Sequence, residues 1–404
     1  VGLTYVIILR MFQWRWTIVL ALTLLSLNTS FVTWTISGLE NSLYALLGSA
    51  LLDACIRRRA IWAGLIVALL CMTRPDGLIY MFLYPALLLP NFRRHVRALN
   101  RFSFAFLILF VPFLLHRFNT FGLPLPNTAY AKGTLAIGEG FKLIDLIASL
   151  GIIPPLAIVI GAVIMIRRKQ IDRALSSTLV LVGFAFLAYM LMPVDWMPEF
   201  RFATNLLLYL VIAGVLMIEK LPIRWHQVIA AGLLIVAVPL FAIRTVNFIQ
   251  QTITPYTWVR QNAQAVARYA ATLGLDHPTL TGPDAGGMLY PNWVVFIDLV
   301  GLVDREIASI TNLPNRVERL HDILLDQRRP DFIITHSWWT EYAAFEDDPR
   351  FEQLYRPLDT CLNEDFMRAD GAPRTDGLWI RRDLSPQLTE AEAALVEQFP
   401  LCNS

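Results

Sequence analysis

Charged residues at the edges of long apolar runs are the groups in this sequence that could carry out chemistry. The stretch TRPDG places Arg74 and Asp76 between the runs IWAGLIVALLCM and GLIYMFLYPALLLP. Charges beside hydrocarbon are costly, so their presence there favours a binding role. An arginine offers a fork of N–H donors suited to phosphate, and Asp76 could hold that fork in place. The alternative is a solvated Arg–Asp turn.

Two other stretches combine carboxylates with a basic or polar neighbour. SGLEN places Glu40 at the start of an apolar run, and DWMPEFR supplies Asp195, Glu199 and Arg201 before another. We interpret Arg201 as a second phosphate ligand, and the three acids together with Asp76 as donor- or acceptor-binding groups. The alternatives are a helix cap for Glu40, because acids favour a first helical turn, and paired surface charges in an aromatic belt for residues 195–201.

The stretch FGLPLPNTAYAKG (121–133) offers partners for a sugar and a phosphate. Asn127 and Tyr130 provide an amide and a ring, and Lys132 provides a cation. We expect Asn127 and Tyr130 to bind donor or acceptor and Lys132 to bind the donor phosphate. The alternative is an interfacial anchor, because Tyr and Lys favour lipid headgroups.

The composition predicts the elements that position these residues. The chain is 56% hydrophobic and 16% charged, whereas soluble domains have about 25% charged residues. Residues 1–245 carry 21 Lys/Arg and 9 Asp/Glu, and residues 246–404 carry 13 and 23. We predict an all-α polytopic transmembrane domain (1–245) followed by a small α/β domain (246–404), with no indication of nucleic-acid binding. Apolar runs long enough to span hydrocarbon occur at 14–34, 38–56, 101–117, 146–166, 174–192, 203–218 and 226–244, with shorter runs at 61–72 and 77–90.

Basic clusters predict the orientation of these spans. Counting the spans between them places the clusters on one face, which the positive-inside rule makes cytoplasmic. The connections on the other face carry the candidate site residues, and the C-terminal domain follows the last span onto that extracytoplasmic face. The clusters are Arg57–Arg59, Arg93 to Arg101, Arg167 to Arg173, and Lys220 with Arg224.

The C-terminal domain reads as alternating short strands and helices. We predict helices at 255–274, 315–328 and 387–399 and strands at 278–281, 293–298, 331–335 and 377–382. Asp284 in the turn GPDAGG and the pair Trp338 and Trp339 are acceptor-binding candidates, with turn formation and ordinary packing as alternatives.

The cysteines and histidines bear on whether the chain has a disulfide or a metal site. We expect Cys361 and Cys402 to form a disulfide because both lie in a domain predicted to face an oxidising compartment. Cys55 and Cys71 lie in apolar runs and read as apolar filler. The six histidines show no metal-ligand spacing, so no metal site is predicted.

A polyprenyl-phosphate sugar suits this set of groups. Its phosphate would meet Arg and Lys, and its sugar would lie at the wet surface. In glycosyl transfer a carboxylate takes the proton of the acceptor hydroxyl, and the leaving phosphate needs only electrostatic stabilisation. A divalent cation on the phosphate is compatible with the acids present, although the sequence does not require one.

The order SGLEN, TRPDG, PNTAYAK and EFRF resembles the polytopic GT-C glycosyltransferases. It looks most like the branch that contains the terminal β-(1→2) arabinofuranosyltransferase of mycobacterial cell walls and its bacterial relatives. GPDAGGMLY, FIDLVGLVDREIA and RPDFIITH look like that branch's extracytoplasmic segment.

The resemblance implies a multi-pass enzyme of the bacterial cytoplasmic membrane. It would transfer a pentofuranose or hexose from a polyprenyl-phosphate donor to an extracytoplasmic glycan or glycolipid in cell-envelope biosynthesis. The family's base is an Asp in a DDAY-type first outer loop. No such stretch precedes Leu39, so we expect an N-terminally truncated chain with the base upstream of Val1 and assign no numbered residue to that role.

Two other functions use similar groups. One is a transporter or flippase for a lipid-linked saccharide, and the other is a non-catalytic receptor for such a lipid. A transporter of this kind is expected to have related halves and polar breaks near the midplane of several spans. The sequence shows no internal repeat and its polar breaks collect on one face, which favours the transferase.

Overall fold

The computed structural model is mostly helical and divides into two compact units. The first unit comprises Val1–Pro124 and Leu135–Gln251, and the second comprises Leu125–Thr134 and Thr252–Ser404. Residues 125–131 therefore belong to the second unit, whereas the sequence placed them in the membrane domain. The structure describes residues 2–89, 92–131, 146, 153–167, 169–192, 197, 199–250, 256–289, 292–385 and 389–398.

The first unit is built from apolar helices. Where the structure describes them, the predicted apolar runs lie mainly on helices, with breaks at Asn28 and at residues 38–40. In chain order the helices are α1 (Gly2–Met11), α2 (Arg15–Leu27), α3 (Thr29–Ile36), α4 (Asn41–Ile56), α5 (Ala60–Thr73), a 3-10 helix (Pro75–Phe82), α6 (Leu83–Leu88), α7 (Phe92–Phe121), α8 (Asn127–Ala131, in the second unit), α9 (Ile153–Arg167), α10 (Arg173–Leu191), a short 3-10 turn (Arg201–Ala203), α11 (Thr204–Glu219) and α12 (Ile223–Gln250).

Four of the described helices are long and apolar enough to cross a membrane. They are α7, α10, the 3-10 turn with α11, and α12. The pair α2 and α3 gives a fifth if it is one span, although its halves are bent by 69°. The bend lies at Asn28, whose side chain accepts a hydrogen bond from Phe31 N and so caps α3.

Two glycines allow close contacts along α5. A Cβ on Gly64 would lie 2.3 Å from the Phe102 carbonyl oxygen, so α5 and α7 pack backbone to backbone there. A Cβ on Gly77 would lie 2.5 Å from the Leu70 carbonyl oxygen. The 3-10 helix after Arg74 can therefore fold back onto α5 only because residue 77 lacks a side chain.

The second unit contains a five-stranded mixed sheet with the order β2-β1-β3-β5-β4. Strands β1, β2 and β3 are parallel, and β5 runs antiparallel to both β3 and β4. The strands are β1 (Thr279–Gly282), β2 (Val295–Asp298), β3 (Phe332–Thr335), β4 (Tyr355–Met367) and β5 (Pro373–Arg381). The helices are α13 (Tyr256–Thr272), α14 (Ala285–Leu289), α15 (Arg305–Ile310), α16 (Arg316–His321), α17 (Trp338–Ala343), α18 (Pro349–Leu354) and α19 (Glu390–Gln398).

Strand β4, the longest strand of this sheet, was not predicted from the sequence. Its sequence YRPLDTCLNEDFM contains a proline and three acids, and its register shifts between Pro357 and Asp359. These features are typical of a strand at the edge of a sheet, where only one side is paired. The predicted strand at 377–382 is in fact the longer β5, which pairs β4 with the rest of the sheet.

Candidate functional site

Arg74 and Asp76 form a buried pair at the end of α5. Each residue is 5% exposed. Arg74 donates from Nε to Asp76 Oδ1 at 2.9 Å and from Nη2 to Asp76 Oδ2 at 3.3 Å. Pro75 ends α5 and begins the 3-10 helix, which brings the carboxylate back to the guanidinium. The pair therefore lies inside the helical unit, and the alternative of a solvated turn is wrong.

The start of α4 supplies the other partners of Arg74. Arg74 Nη1 donates to Asn41 Oδ1 at 3.1 Å and lies 3.5 Å from Glu40 Oε1. Tyr44 Oη donates to Asp76 Oδ2 at 3.3 Å. Glu40 occupies the N-cap position of α4 but makes no side-chain capping hydrogen bond to that helix. Its half-exposed carboxylate belongs instead to the ion-pair cluster.

Arg201 joins this cluster from the beginning of the next buried helix. It is 8% exposed, and its carbonyl oxygen accepts a hydrogen bond from Asn41 Nδ2 at 3.3 Å. The Phe202 ring lies 4.8 Å from Arg201 Cζ and 4.7 Å from Arg74 Cζ. Two of the three predicted phosphate ligands therefore meet at one aromatic ring, which favours cations near its face.

Glu199 is held by α3 and α12. Its Oε2 accepts from Ser30 Oγ at 2.5 Å and from Arg244 Nη2 at 2.8 Å, and its carbonyl accepts from Trp34 Nε1 at 2.7 Å. Glu199 and Phe200 have φ of 62° and 50°. Such left-handed non-glycine residues cost about 1–3 kcal/mol each and persist where the surroundings fix them. Asp195 and Lys132 lie outside the described residues.

The arrangement limits what Arg74 can do chemically. Three of the five N–H donors of an arginine are already used in hydrogen bonds to Asp76 and Asn41. Its charge is compensated by Asp76 and, at 3.5 Å, by Glu40. Arg74 is therefore a rigid part of the cluster. Its geometry fits a role in holding the start of α4 and the Arg201 backbone in place.

A second group of candidate residues lies at the carboxyl edge of β1 and β3. Asp284 follows β1 and His336 follows β3, and His336 Nε2 lies 2.8 Å from Asp284 Oδ2. Because parallel strands end at one edge of a sheet, residues 52 positions apart meet there. Both side chains are partly exposed. The sequence singled out Asp284 but not its histidine partner.

Trp338 and Trp339 begin the helix that follows His336. Trp338 is 52% exposed, and both indoles pack with Tyr342. Ser337 between His336 and Trp338 has φ 51°, and its N–H donates to Asp376 Oδ2 at 2.7 Å. This constrained turn presents Trp338 at the same edge as the Asp284–His336 pair. An exposed indole offers a flat face on which a sugar ring can stack.

Asp298 ends β2 at this edge and has a different role. It is fully buried, and its carboxylate accepts from the N–H groups of Val300 and Val303. Burial raises the pKa of Asp298, and these backbone hydrogen bonds act in the opposite direction. The carboxylate thus closes the loop after β2.

Asn127 and Tyr130 lie on α8 and belong to the second unit. Tyr130 contributes its carbonyl oxygen, which accepts from Asn312 Nδ2 at 2.8 Å, and α8 packs against α15. Both side chains are partly exposed. The structure thus brings described residues of three predicted stretches together in the first unit and places residues 125–131 of the fourth stretch in the second unit.

The described cysteines occur in two states. Cys55 and Cys71 are free and buried, and Cys361 is disulfide-bonded. Its predicted partner Cys402 lies outside the described residues. No group of three or more His, Cys, Asp or Glu arranged to hold a metal ion occurs in the described part of the chain.

Several residues of the first cluster were not predicted. Asn41 and Tyr44 follow Glu40 by one and four positions, and α4 presents them to Arg74. Ser30 lies on α3, and Arg244 stands alone near the end of α12. Of these residues, Arg244 alone could have been recognised as a candidate from the sequence, because an isolated ionisable residue in an apolar run indicates a buried partner.

Comparison of the chain with protein-family models, with curated proteins and with solved structures finds no match.

Proposed function

We propose that this chain is a membrane glycosyltransferase that uses a polyprenyl-phosphate sugar as donor. One observation carries the proposal. Residues from three separate stretches, 40–44, 74–76 and 199–202, form one buried ionic and aromatic cluster at the ends of apolar helices. Buried charges inside an apolar helical unit are costly, and they mark binding or reaction sites in membrane proteins.

The packing of α4 and α5 supports an orientation for the cluster. The Glu40–Arg74 contact joins the start of α4 to the end of α5, and Arg57–Arg59 connect the two helices at their other ends. By the positive-inside rule the arginine-rich end faces the cytoplasm. The ionic cluster then faces the extracytoplasmic side of a bacterial cytoplasmic membrane, where a lipid-borne donor can reach it from the bilayer.

In this proposal Arg201 contacts the donor phosphate and Arg74 positions it. Arg201 donates to a phosphate oxygen, which stabilises the negative charge on the leaving group as the glycosidic C–O bond breaks. Asn41 fixes the Arg201 backbone, and Arg74 fixes Asn41. The acceptor hydroxyl oxygen bonds to the anomeric carbon as the phosphate leaves, and its proton passes to a carboxylate base that we do not assign to a numbered residue.

The second unit carries the acceptor-binding candidates of the proposal. Trp338 offers an exposed ring for stacking, and the Asp284–His336 pair offers hydrogen-bond partners to sugar hydroxyls. The acceptor class is an extracytoplasmic glycan or glycolipid. Asn127 and Tyr130 are further sugar-binding candidates on this unit.

The test measures donor binding and transfer separately. Full-length protein in nanodiscs is given a polyprenyl phosphate, and then a polyprenyl-phosphate pentose or hexose with a glycan acceptor. Arg201→Gln should weaken binding of the lipid phosphate by about 10- to 100-fold, because a charged hydrogen bond contributes about 1.5–3 kcal/mol. Arg173→Gln removes an equal charge from an exposed position on α10 and should bind as the wild type does.

Each result of this test separates the candidate functions. Transfer that is lost in Arg201→Gln and kept in Arg173→Gln supports the transferase. Binding without transfer to any acceptor indicates a receptor, and movement of the lipid across the bilayer without transfer indicates a flippase. Equal phosphate binding by Arg201→Gln and wild type refutes the role given to Arg201.

A further inference from the structure

An open cavity of about 580 Å³ lies between the start of α5 and the start of α7, at the opposite end of α5 from Arg74. Its walls are arginines, one histidine and apolar side chains, and none of its described lining residues is acidic. The lining comprises Arg58, Arg59, Ala60, Ile61, Trp62, Leu65, Arg94, His95, Arg97, Ala98 and Arg101.

The cavity carries uncompensated positive charge. Arg94, Arg97 and Arg101 share one face of α7 because they are spaced by three and four residues. No side-chain hydrogen bond or ion pair joins the five lining arginines to the rest of the described chain, in contrast to nearby Arg57, which pairs with Asp53 at 2.7 Å. Like charges around one cavity repel each other, so an anion placed among them lowers the electrostatic energy.

Backbone geometry adds to this preference for an anion. The 14-residue helix α5 begins at Ala60 without a side-chain cap, so the positive end of its dipole faces the same region. Gly64 permits the backbone contact between α5 and α7, which fixes the two walls relative to each other. The cavity is therefore a built recess, and its shape does not depend on loop residues alone.

The rim of the cavity is apolar. Ile61 and Trp62 are 51% and 58% exposed, and Phe104 further along α7 is 68% exposed. A soluble anion gains nothing from such a rim, whereas a lipid would bury its acyl chains against it. An amphipathic Trp beside basic residues is typical of the level of lipid headgroups.

We propose that this cavity is a specific site for an anionic phospholipid with two phosphates, of the diphosphatidylglycerol class. Two phosphate groups match the five arginines better than one, and acyl chains extend along Trp62 and α7. Basic recesses between helices on the cytoplasmic side bind such headgroups. The inference rests on the membrane insertion proposed above and not on glycosyl transfer.

Native mass spectrometry of the full-length protein, purified in detergent and titrated with diphosphatidylglycerol, tests the site. The wild type should bind one such lipid at least tenfold more tightly than Arg94→Gln/Arg97→Gln does. The control Arg167→Gln/Arg173→Gln removes two exposed arginines from another basic cluster on the same predicted face. It should bind within twofold of the wild type. Both double variants must have the same Tm as the wild type without added lipid. If Arg94→Gln/Arg97→Gln has a lower Tm, Trp62→Ala is used in its place.

Two further arms identify the source of the phosphate. Phosphatidylglycerol, which has one phosphate, should bind more weakly than diphosphatidylglycerol, and inorganic pyrophosphate should not displace the bound lipid at equal concentration. If lipid binding is weakened equally in the two double variants, the proposal is overturned in favour of general charge attraction. Displacement by pyrophosphate overturns it in favour of a soluble ligand. Neither result depends on transfer activity, so the two proposals can fail separately.

Discussion

Replacing Asp76 by alanine should destabilise the helical unit far more than removing a similar ion pair near the surface. Asp76→Ala leaves the Arg74 guanidinium buried with Asn41 and Glu40 as its remaining partners. Removing one member of a buried pair costs about 3–5 kcal/mol. Because Glu40 stays 3.5 Å away, we expect the lower end, about 3 kcal/mol, and a fall in Tm of about 6–12 °C.

The chain contains a matched control on the same helix bundle. Asp53 pairs with Arg57 at 2.7 Å, as close as the 2.9 Å between Asp76 and Arg74, but the Arg57 side chain is 38% exposed. An exposed pair of this spacing contributes about 0.3–0.5 kcal/mol. Asp53→Ala should therefore lower Tm by less than about 2 °C.

The assay uses the two buried thiols. Cys55 and Cys71 lie on α4 and α5, so a thiol-reactive fluorophore reports when these helices separate on heating. Arg74→Met combined with Asp76→Ala should recover part of the lost stability, because the buried guanidinium is then absent and only the half-exposed Glu40 carboxylate loses its ion-pair partner. Equal shifts for Asp76→Ala and Asp53→Ala would refute the reasoning that burial makes the first pair costly to break.

Three other predictions concern packing, pH and the disulfide. Gly77→Ala should destabilise the protein by about 1–3 kcal/mol in the same thermal assay, because its Cβ would lie 2.5 Å from the Leu70 carbonyl oxygen; Gly183→Ala, where no atom lies within 4 Å, should not destabilise it. The side-chain hydrogen bond from Arg350 lowers the pKa of Asp348 to about 2. The stability that this pair contributes should be present above pH 4 and lost as the pH falls toward 2. Asp348→Asn should remove this part of the pH dependence of thermal unfolding. An unchanged pH profile in that variant would contradict the assignment. Peptide mapping without reductant should find the Cys361 peptide linked to the Cys402 peptide, with Cys55 and Cys71 alkylated only after denaturation; linkage of Cys361 to any other peptide would exclude the predicted pair.

The helices of the first unit were predictable because their signal is local. A run of apolar residues long enough to cross hydrocarbon requires no knowledge of its neighbours. The position of the break at TRPDG was likewise readable from Pro75 and Gly77. The contact of Arg74 with Glu40 was not, since residues 34 positions apart meet only through the packing of α4 on α5.

In the second unit, too, local elements could be predicted from the sequence but contacts between distant residues could not. Strands β1, β2 and β3 were predicted because they are short and apolar, whereas the polar edge strand β4 gave no such pattern. The Asp284–His336 pair depends on β1 and β3 being neighbours, which is a property of strand order. The sequence identified Asp284 as a candidate, but its partner could be found only from the sheet.

The two left-handed residues before Arg201 have a consequence for the order in which the site can assemble. Glu199 and Phe200 adopt this backbone only while Ser30 and Trp34 of α3 and Arg244 of α12 hold it. We expect the chain at 199–200 to relax to an unstrained conformation when either helix is undocked, which would take Arg201 out of its position beside Phe202 and Arg74. We therefore predict that the turn at 199–201 forms after these helices dock and opens more readily than α11. Amide hydrogen exchange at residues 199–203 should accordingly be faster than in α11, which begins only one residue later.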